Sequence, residues 1–186
     1  MKPPPALLDP NSVPDWQRTP AALDALVQYY RNAAKGSVGS YFTNPTGNDP
    51  NFSVGSNKNP PGNFTDGTGV TFCEGSCKLS ADGGGTLIVT GKLTNIGGFS
   101  FRGLIIVIGE EEWERNGAGN GKIIGNVVIA PYNRKNYIPQ NISSTFLPPQ
   151  YYVTGGGGSE VIYGDIGSTL NNTSGIKDFI KEIAEK

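Results

Sequence analysis

Short apolar segments punctuated by glycine recur through the middle and back of this chain. They read Thr86-Leu-Ile-Val-Thr-Gly91, Gly103-Leu-Ile-Ile-Val-Ile-Gly109, Gly125-Asn-Val-Val-Ile-Ala130 and, more weakly, Ser159-Glu-Val-Ile-Tyr-Gly164. Lys92-Leu-Thr and Phe99-Ser-Phe lie between the first two and are again bracketed by glycine. Such segments are too short for helices. Their β-branched content and short spacing favour stacked coils or a sandwich over alternating βαβ units.

The phase of these segments suggests an inward stack of Leu87, Val89, Leu93, Phe99, Phe101, Leu104, Ile106 and Ile108, with Ile105 and Val107 facing the other way. A strand apolar on both faces needs a cover. The N-terminal part supplies one. Thr19-Pro20 reads as a cap followed by proline at the first helical position. Ala22, Leu23, Leu26, Val27, Tyr30 and Ala34 then share one face, while Asp24, Gln28 and Arg31 lie off it. Lys35-Gly36 ends the element with a cation and a glycine.

The chain therefore divides into an extended, proline-rich segment at 1–18, a capping helix at 19–36, a glycine-rich β domain at 37–165 and a short C-terminal helix at 174–186. That last helix has Ile176, Phe179, Ile180 and Ile183 on its apolar face. Turn signals crowd residues 37–68, where short strands near Phe52 and Phe64 are expected. The fold class expected is mainly β, a right-handed β-helix-like solenoid with these two helices; the alternative is a β-sandwich. Gly91, Gly103, Gly109, Gly121 and Gly125 are expected at its corners, and Leu87, Leu104, Ile106 and Val128 in its stack.

Composition removes several kinds of chemistry. The 186 residues contain no histidine, which excludes a histidine-containing serine triad and, with only two cysteines, disfavours a classical zinc site. Fifteen basic and sixteen acidic residues leave a net charge of −1, so nothing favours nucleic acid as a partner. No stretch approaches the roughly 20 apolar residues that span a bilayer. The segment Asn116-Gly-Ala-Gly-Asn-Gly121 lacks both the spacing and the context of a dinucleotide fingerprint. No cofactor is implied.

Cys73 and Cys77 flank Glu74-Gly75-Ser76. A glycine-centred loop of this size can fold back to form a disulfide, which would stabilise a turn and argue for an extracytoplasmic compartment. A reduced structural pair and a redox or metal pair are the alternatives; the spacing is not the Cys-x-x-Cys of thioredoxin-like sites.

The acidic candidates are Glu110, Glu111, Glu112, Glu114, Asp82 and Asp165. Paired carboxylates serve glycosidic cleavage or calcium binding when suitably placed, but a solvated loop is the simpler reading of four glutamates within five residues. Trp113, with Tyr151 and Tyr152, is the candidate platform for a sugar or peptide; packing of loops is the competing reading. Asn51, Asn63, Asn141 and Asn171 sit in glycosylation sequences that matter only in a secreted eukaryotic context.

The ordered series Gly85-Thr-Leu-Ile-Val-Thr-Gly-Lys-Leu, Gly98-Phe-Ser-Phe-Arg-Gly-Leu-Ile-Ile-Val-Ile-Gly109 and Asn116-Gly-Ala-Gly-Asn-Gly-Lys-Ile-Ile-Gly-Asn-Val-Val-Ile-Ala130 resembles the C-terminal portion of bacterial PilX-like pilus-assembly proteins. The likeness covers roughly residues 70–130 and, more loosely, 155–165. It implies an envelope or surface protein of type IV pilus biogenesis, normally carrying a membrane-spanning pilin-like segment that this sequence does not show. The strand–glycine rhythm also resembles bactofilin-like polymerising solenoids, whose repetition is more continuous. Neither resemblance supplies a catalytic residue.

The expected function is a noncatalytic structural or assembly domain of a bacterial cell-surface or type IV pilus system. Its partners would be other surface or pilus-assembly proteins, or further copies of itself. The expected location is periplasmic, cell-surface or extracellular, including the case of a soluble domain excised from a membrane-anchored protein. The alternatives are a carbohydrate-binding or carbohydrate-active β-helix built on Trp113, and a self-assembling filament module.

Overall fold

A computed structural model describes residues 15–36, 39–43, 53–54, 62–63, 65–79, 81–96, 98–109, 113–116, 120–133, 142–154 and 160–162. The expected C-terminal helix at 174–186 and the segments around Phe52 and Phe64 lie outside the described residues, although a short strand follows at Ser53–Val54 and Asn63 bridges Thr68.

The first element after a 3-10 turn (Asp15–Gln17) is α1, Pro20–Lys35. The Thr19 side chain accepts a hydrogen bond from the amide of Ala22 at 3.2 Å, and Pro20 opens the first turn, as expected of this pair. At the other end, the Gly36 amide donates to the carbonyls of Asn32 and Ala33. Leu23, Leu26, Val27, Tyr30 and Ala34 are buried along one face.

Eleven strands follow among the described residues: β1 (Gly39–Thr43), β2 (Ser53–Val54), β3 (Val70–Glu74), β4 (Cys77–Leu79), β5 (Gly83–Val89), β6 (Leu93–Ile96), β7 (Phe101–Val107), β8 (Trp113–Asn116), β9 (Lys122–Ile129), β10 (Tyr151–Thr154) and β11 (Glu160–Ile162). The fold is mainly β, with two parallel sheets and an N-terminal helix. Odd-numbered strands form one sheet, in the order β1-β3-β5-β7-β9-β11, and even-numbered strands form the other, in the order β10-β8-β6-β4-β2. Every pairing between these strands is parallel, and the chain visits the two sheets in strict alternation.

Two apolar clusters result. Leu87, Val89, Phe101, Ile105, Val107 and Ile123 of the six-stranded sheet join Cys77, Leu79, Leu93 and Trp113 of the other, so this cluster is what the sheets share. Phe72, Ile88, Leu104, Ile106 and Ile108 instead pack with Leu23, Leu26, Val27 and Tyr30 of α1, and with Tyr132. The helix is therefore the cover that the doubly apolar strands required. The expected phase of β7 is corrected. Ile105 and Val107 face the other sheet, whereas Leu104, Ile106 and Ile108 face the helix side, as does the partly buried Val128. With side chains alternating at a period of two, Phe101 and Leu104 cannot share a face.

A column of glycines fixes this phase. Gly85 pairs with Gly103 and Gly103 with Gly125, all inside strands. Only Gly91, Gly109 and Gly121 of the expected corner glycines lie between strands; Gly103 and Gly125 do not. Gly103 has φ of +139°, a conformation that side chains other than glycine rarely adopt. A β-carbon there would also collide with the carbonyl oxygen of Gly85, as one at Gly125 would with that of Gly103.

Gly103→Ala should therefore lower stability by at least about 2 kcal/mol, from unfavourable φ and backbone collision together. Gly36→Ala, where φ is −80° and the nearest atom lies 3.3 Å from the added carbon, should cost under about 1 kcal/mol. Denaturant titration of both variants checks the contrast.

Candidate functional site

The side chains with the most chemical promise in the sequence are distributed between interior and rim. Trp113 opens β8 directly opposite Leu93, which in turn pairs with Cys77. It is only 3 % exposed and belongs to the cluster between the sheets, so it is not an exposed platform. Tyr151 pairs with Trp113 across the β8–β10 ladder, and their ring centroids stand 4.8 Å apart with planes tilted by 35°. Tyr151 and Tyr152 are 44 % and 47 % exposed. The structure brings Trp113 and Tyr151 together, while strand alternation turns Tyr152 to the opposite face of β10.

The strong acidity of the neighbouring sequence hides the burial of Trp113. Its immediate successor, Glu114, faces outward and pairs with Lys92 at 2.9 Å, which is ordinary strand alternation. Asp82 accepts a hydrogen bond from the Ser100 amide, eighteen residues on. Glu110, Glu111, Glu112 and Asp165 lie outside the described residues, and no cluster of three metal-ligating side chains occurs among the described ones.

The disulfide expected between Cys73 and Cys77 is not formed; both are free and buried. Cys73 lies in β3 and Cys77 opens β4, so the two belong to different sheets, yet both side chains enter the shared interior. The Cys73 thiol donates toward the Gly75 carbonyl at 3.7 Å. Burial, then the hydrogen bond with Cys73, pushes the Cys77 thiol well above the usual thiol range. A protonated, buried thiol is a poor nucleophile and packs as a small apolar residue.

Two polar pairs escaped the sequence reading. Asp24, expected off the apolar face of the helix, is 3 % exposed and accepts a hydrogen bond from the Tyr132 hydroxyl at 2.8 Å. Arg31, on the same helix, forms an ion pair with Glu74 at the end of β3. Both join α1 to residues of the β region. An aspartate amid apolar helix positions was the available signal, but its partner is more than a hundred residues away and nothing local names it.

Burial also pushes the hydroxyl of Tyr30, on the buried face of α1, well up, so it stays neutral. Among the described residues, no helix is long and apolar enough to cross a membrane. No protein-family model, curated protein or solved structure matches the chain.

Truncating Trp113→Ala should cost about 3–5 kcal/mol, the range for losing a large buried aromatic, and is measured by denaturant unfolding. A surface platform residue would cost far less. For the thiols, an aromatic disulfide reagent should react slowly with native protein and fully once urea unfolds it. Because the folded Cys77 pKa is raised, its contribution to stability is fully present below the unfolded value of about 8.5. It should be lost as pH rises beyond that value toward the folded pKa, and urea midpoints across alkaline pH check the sign.

Proposed function

We propose that this domain is a right-handed β-solenoid serving as a noncatalytic structural or assembly element of a bacterial cell surface, of the type IV pilus-assembly class. The observation that carries the solenoid reading is the strict alternation of parallel strands between two sheets. A chain that returns to each sheet in parallel, one strand further along each time, advances as a coil. Parallel crossovers are right-handed in about 98 % of cases, which supports the hand.

The noncatalytic reading rests on where the polar groups are. The cluster between the sheets is aliphatic, aromatic and thiol, the buried Asp24 is taken up by the Tyr132 hydroxyl, and the charged pairs tie neighbouring elements together. The pilus assignment rests on the ordered resemblance across residues 70–130. The central pairings Gly85–Gly103 and Gly103–Gly125 fall within the phrases that carry it. A carbohydrate platform is less favoured, since Trp113 is enclosed between the sheets.

Placing a photo-crosslinking residue at Lys78, Thr94 or Tyr152 tests the assembly role in the cells that make the protein. These positions pair through β4, β6, β8 and β10, with Glu114 between Thr94 and Tyr152, on the face away from the interior. Adducts with pilin-like or other envelope assembly proteins are expected at one or more of them. Adducts confined to glycans, or none from any position while the protein remains abundant, would remove the assembly reading.

A further inference from the structure

Between Phe146, which packs on the cluster under α1, and the start of β10 lies a short surface run. It reads Phe146-Leu-Pro-Pro-Gln-Tyr-Tyr152, which contains the pattern Pro-Pro-x-Tyr at 148–151, and no charged residue occurs from 143 to 154. Residues 146–150 belong to neither helix nor strand, and Pro148, Pro149, Gln150, Tyr151 and Tyr152 form one continuous exposed stretch. Local chemistry dictates its shape. Proline fixes its own φ and disfavours the helical region for the residue before it. Leu147 and Pro148 each precede a proline, so the stretch is set towards polyproline II.

The stretch is held at both ends. Before it, the Leu147 amide donates to the Pro131 carbonyl at 2.7 Å, and Phe146 meets Tyr132 edge-on with ring centroids 6.4 Å apart. After it, the Trp113 amide donates to the Gln150 carbonyl at 3.2 Å, and Tyr151 enters the β8–β10 ladder. Trp113 supports the Tyr151 ring from the interior, yet Tyr151 remains 44 % exposed.

We propose that residues 148–152 are a docking strip for a protein module with an aromatic-lined groove that reads polyproline II, as WW-type modules do. About three residues complete a turn in that conformation, which sets Tyr151 on the same edge as Pro148. Flat rings in the groove stack on the two prolines, and a neighbouring pocket takes the tyrosine. A free proline-rich peptide loses conformational freedom on binding, whereas this strip is already held in place. Its uncharged sequence offers an ionic partner nothing to read. A second copy of this chain is a poor occupant. Apart from the two strip tyrosines, the large exposed hydrophobics among the described residues are Tyr29 and Ile162, which makes no aromatic groove. The proposal goes beyond the assembly reading and does not depend on it.

Nuclear magnetic resonance titration of the full chain with an isolated WW domain selective for Pro-Pro-x-Tyr peptides tests the strip. Saturable shifts are expected at the amides of Gln150, Tyr151 and Tyr152, with β5 and β7 unmoved. The double variant Pro148→Ala/Pro149→Ala should bind at least about tenfold more weakly, the loss expected for truncating a central contact. Both prolines are exposed, so its urea midpoint should stay close to that of the parent. A synthetic 146–152 peptide should compete with the full chain, and the same two substitutions in the peptide repeat the comparison without a fold to lose. Absence of saturable binding by the full chain at about 1 mM module overturns the proposal, as does undiminished binding by the double variant. Peptide that binds while the full chain does not also overturns it, because the strip is then not presented. Shifts at 150–152 that grow with concentration of the chain alone make a second copy the occupant and overturn it as well. Cross-linking at Lys78 or Thr94 in cells is read separately, so failure of the strip is distinguishable from failure of the assembly role.

Discussion

A backbone carbonyl lies where a β-carbon would otherwise sit at Gly85, Gly103 and Gly125, and the rest of the fold depends on that close approach. At Gly85 the blocking group belongs to Gly69, at Gly103 to Gly85, and at Gly125 to Gly103. All four have positive φ. Parallel strands can usually slide because their hydrogen bonds are evenly spaced, and a slip of one residue exchanges the two faces. Here such a slip would bring Thr86 or Leu104 into a position with no room for a side chain. The column thus fixes register by exclusion. It decides that Leu87, Ile105 and Val127 face the second sheet.

Fixing that register makes the helix obligatory. Ile88, Leu104 and Ile106 are left on the opposite face, and burying such side chains contributes about 1.5–3 kcal/mol each. An isolated helix of the length of α1 is marginal in water, so it gains stability from the same surface it covers. The pairs Asp24–Tyr132 and Arg31–Glu74 then fix its position along the sheet. Apolar contact alone tolerates sliding, whereas a buried carboxylate with a specific phenol partner does not.

Much of this organisation was legible. Thr19-Pro20 and Lys35-Gly36 bounded the helix because capping is local chemistry. The strong strands were legible as apolar runs between glycines. The phase of β7 was not, because a run buried on both faces carries no polar alternation. The information was present in Gly103 itself, which aligns with Gly85 and Gly125 and so marks the inward parity. Trp113 was obscured by its glutamate neighbours, although Gly75-Ser-Cys77 and Gly91-Lys-Leu93 each place an inward residue two positions after a glycine. Gly109 precedes Trp113 after a longer excursion, and that interruption concealed the equivalence. Cys73 and Cys77 were close enough in sequence to suggest a bond, but spacing does not report the apolar surroundings that suit two thiols.

The distribution of loop lengths follows the same constraint. Val70 pairs with Thr86 and Gly85 with Gly103, so the central returns are short. Gly39 pairs with Val70 and Lys122 with Glu160, so the outer returns are long. Loop-closure entropy grows only logarithmically with length, so extra residues are tolerated thermodynamically wherever they do not disturb the glycine column. The central strands contain that column and their returns are held short; the outer returns are free to diverge. One of them has folded back, since Leu147 donates to the Pro131 carbonyl while Ile142 and Phe146 return to the core beneath α1. Sequence variation is therefore tolerated best in the long returns and on the outer faces, where a change of sequence does not unlock the register at the centre.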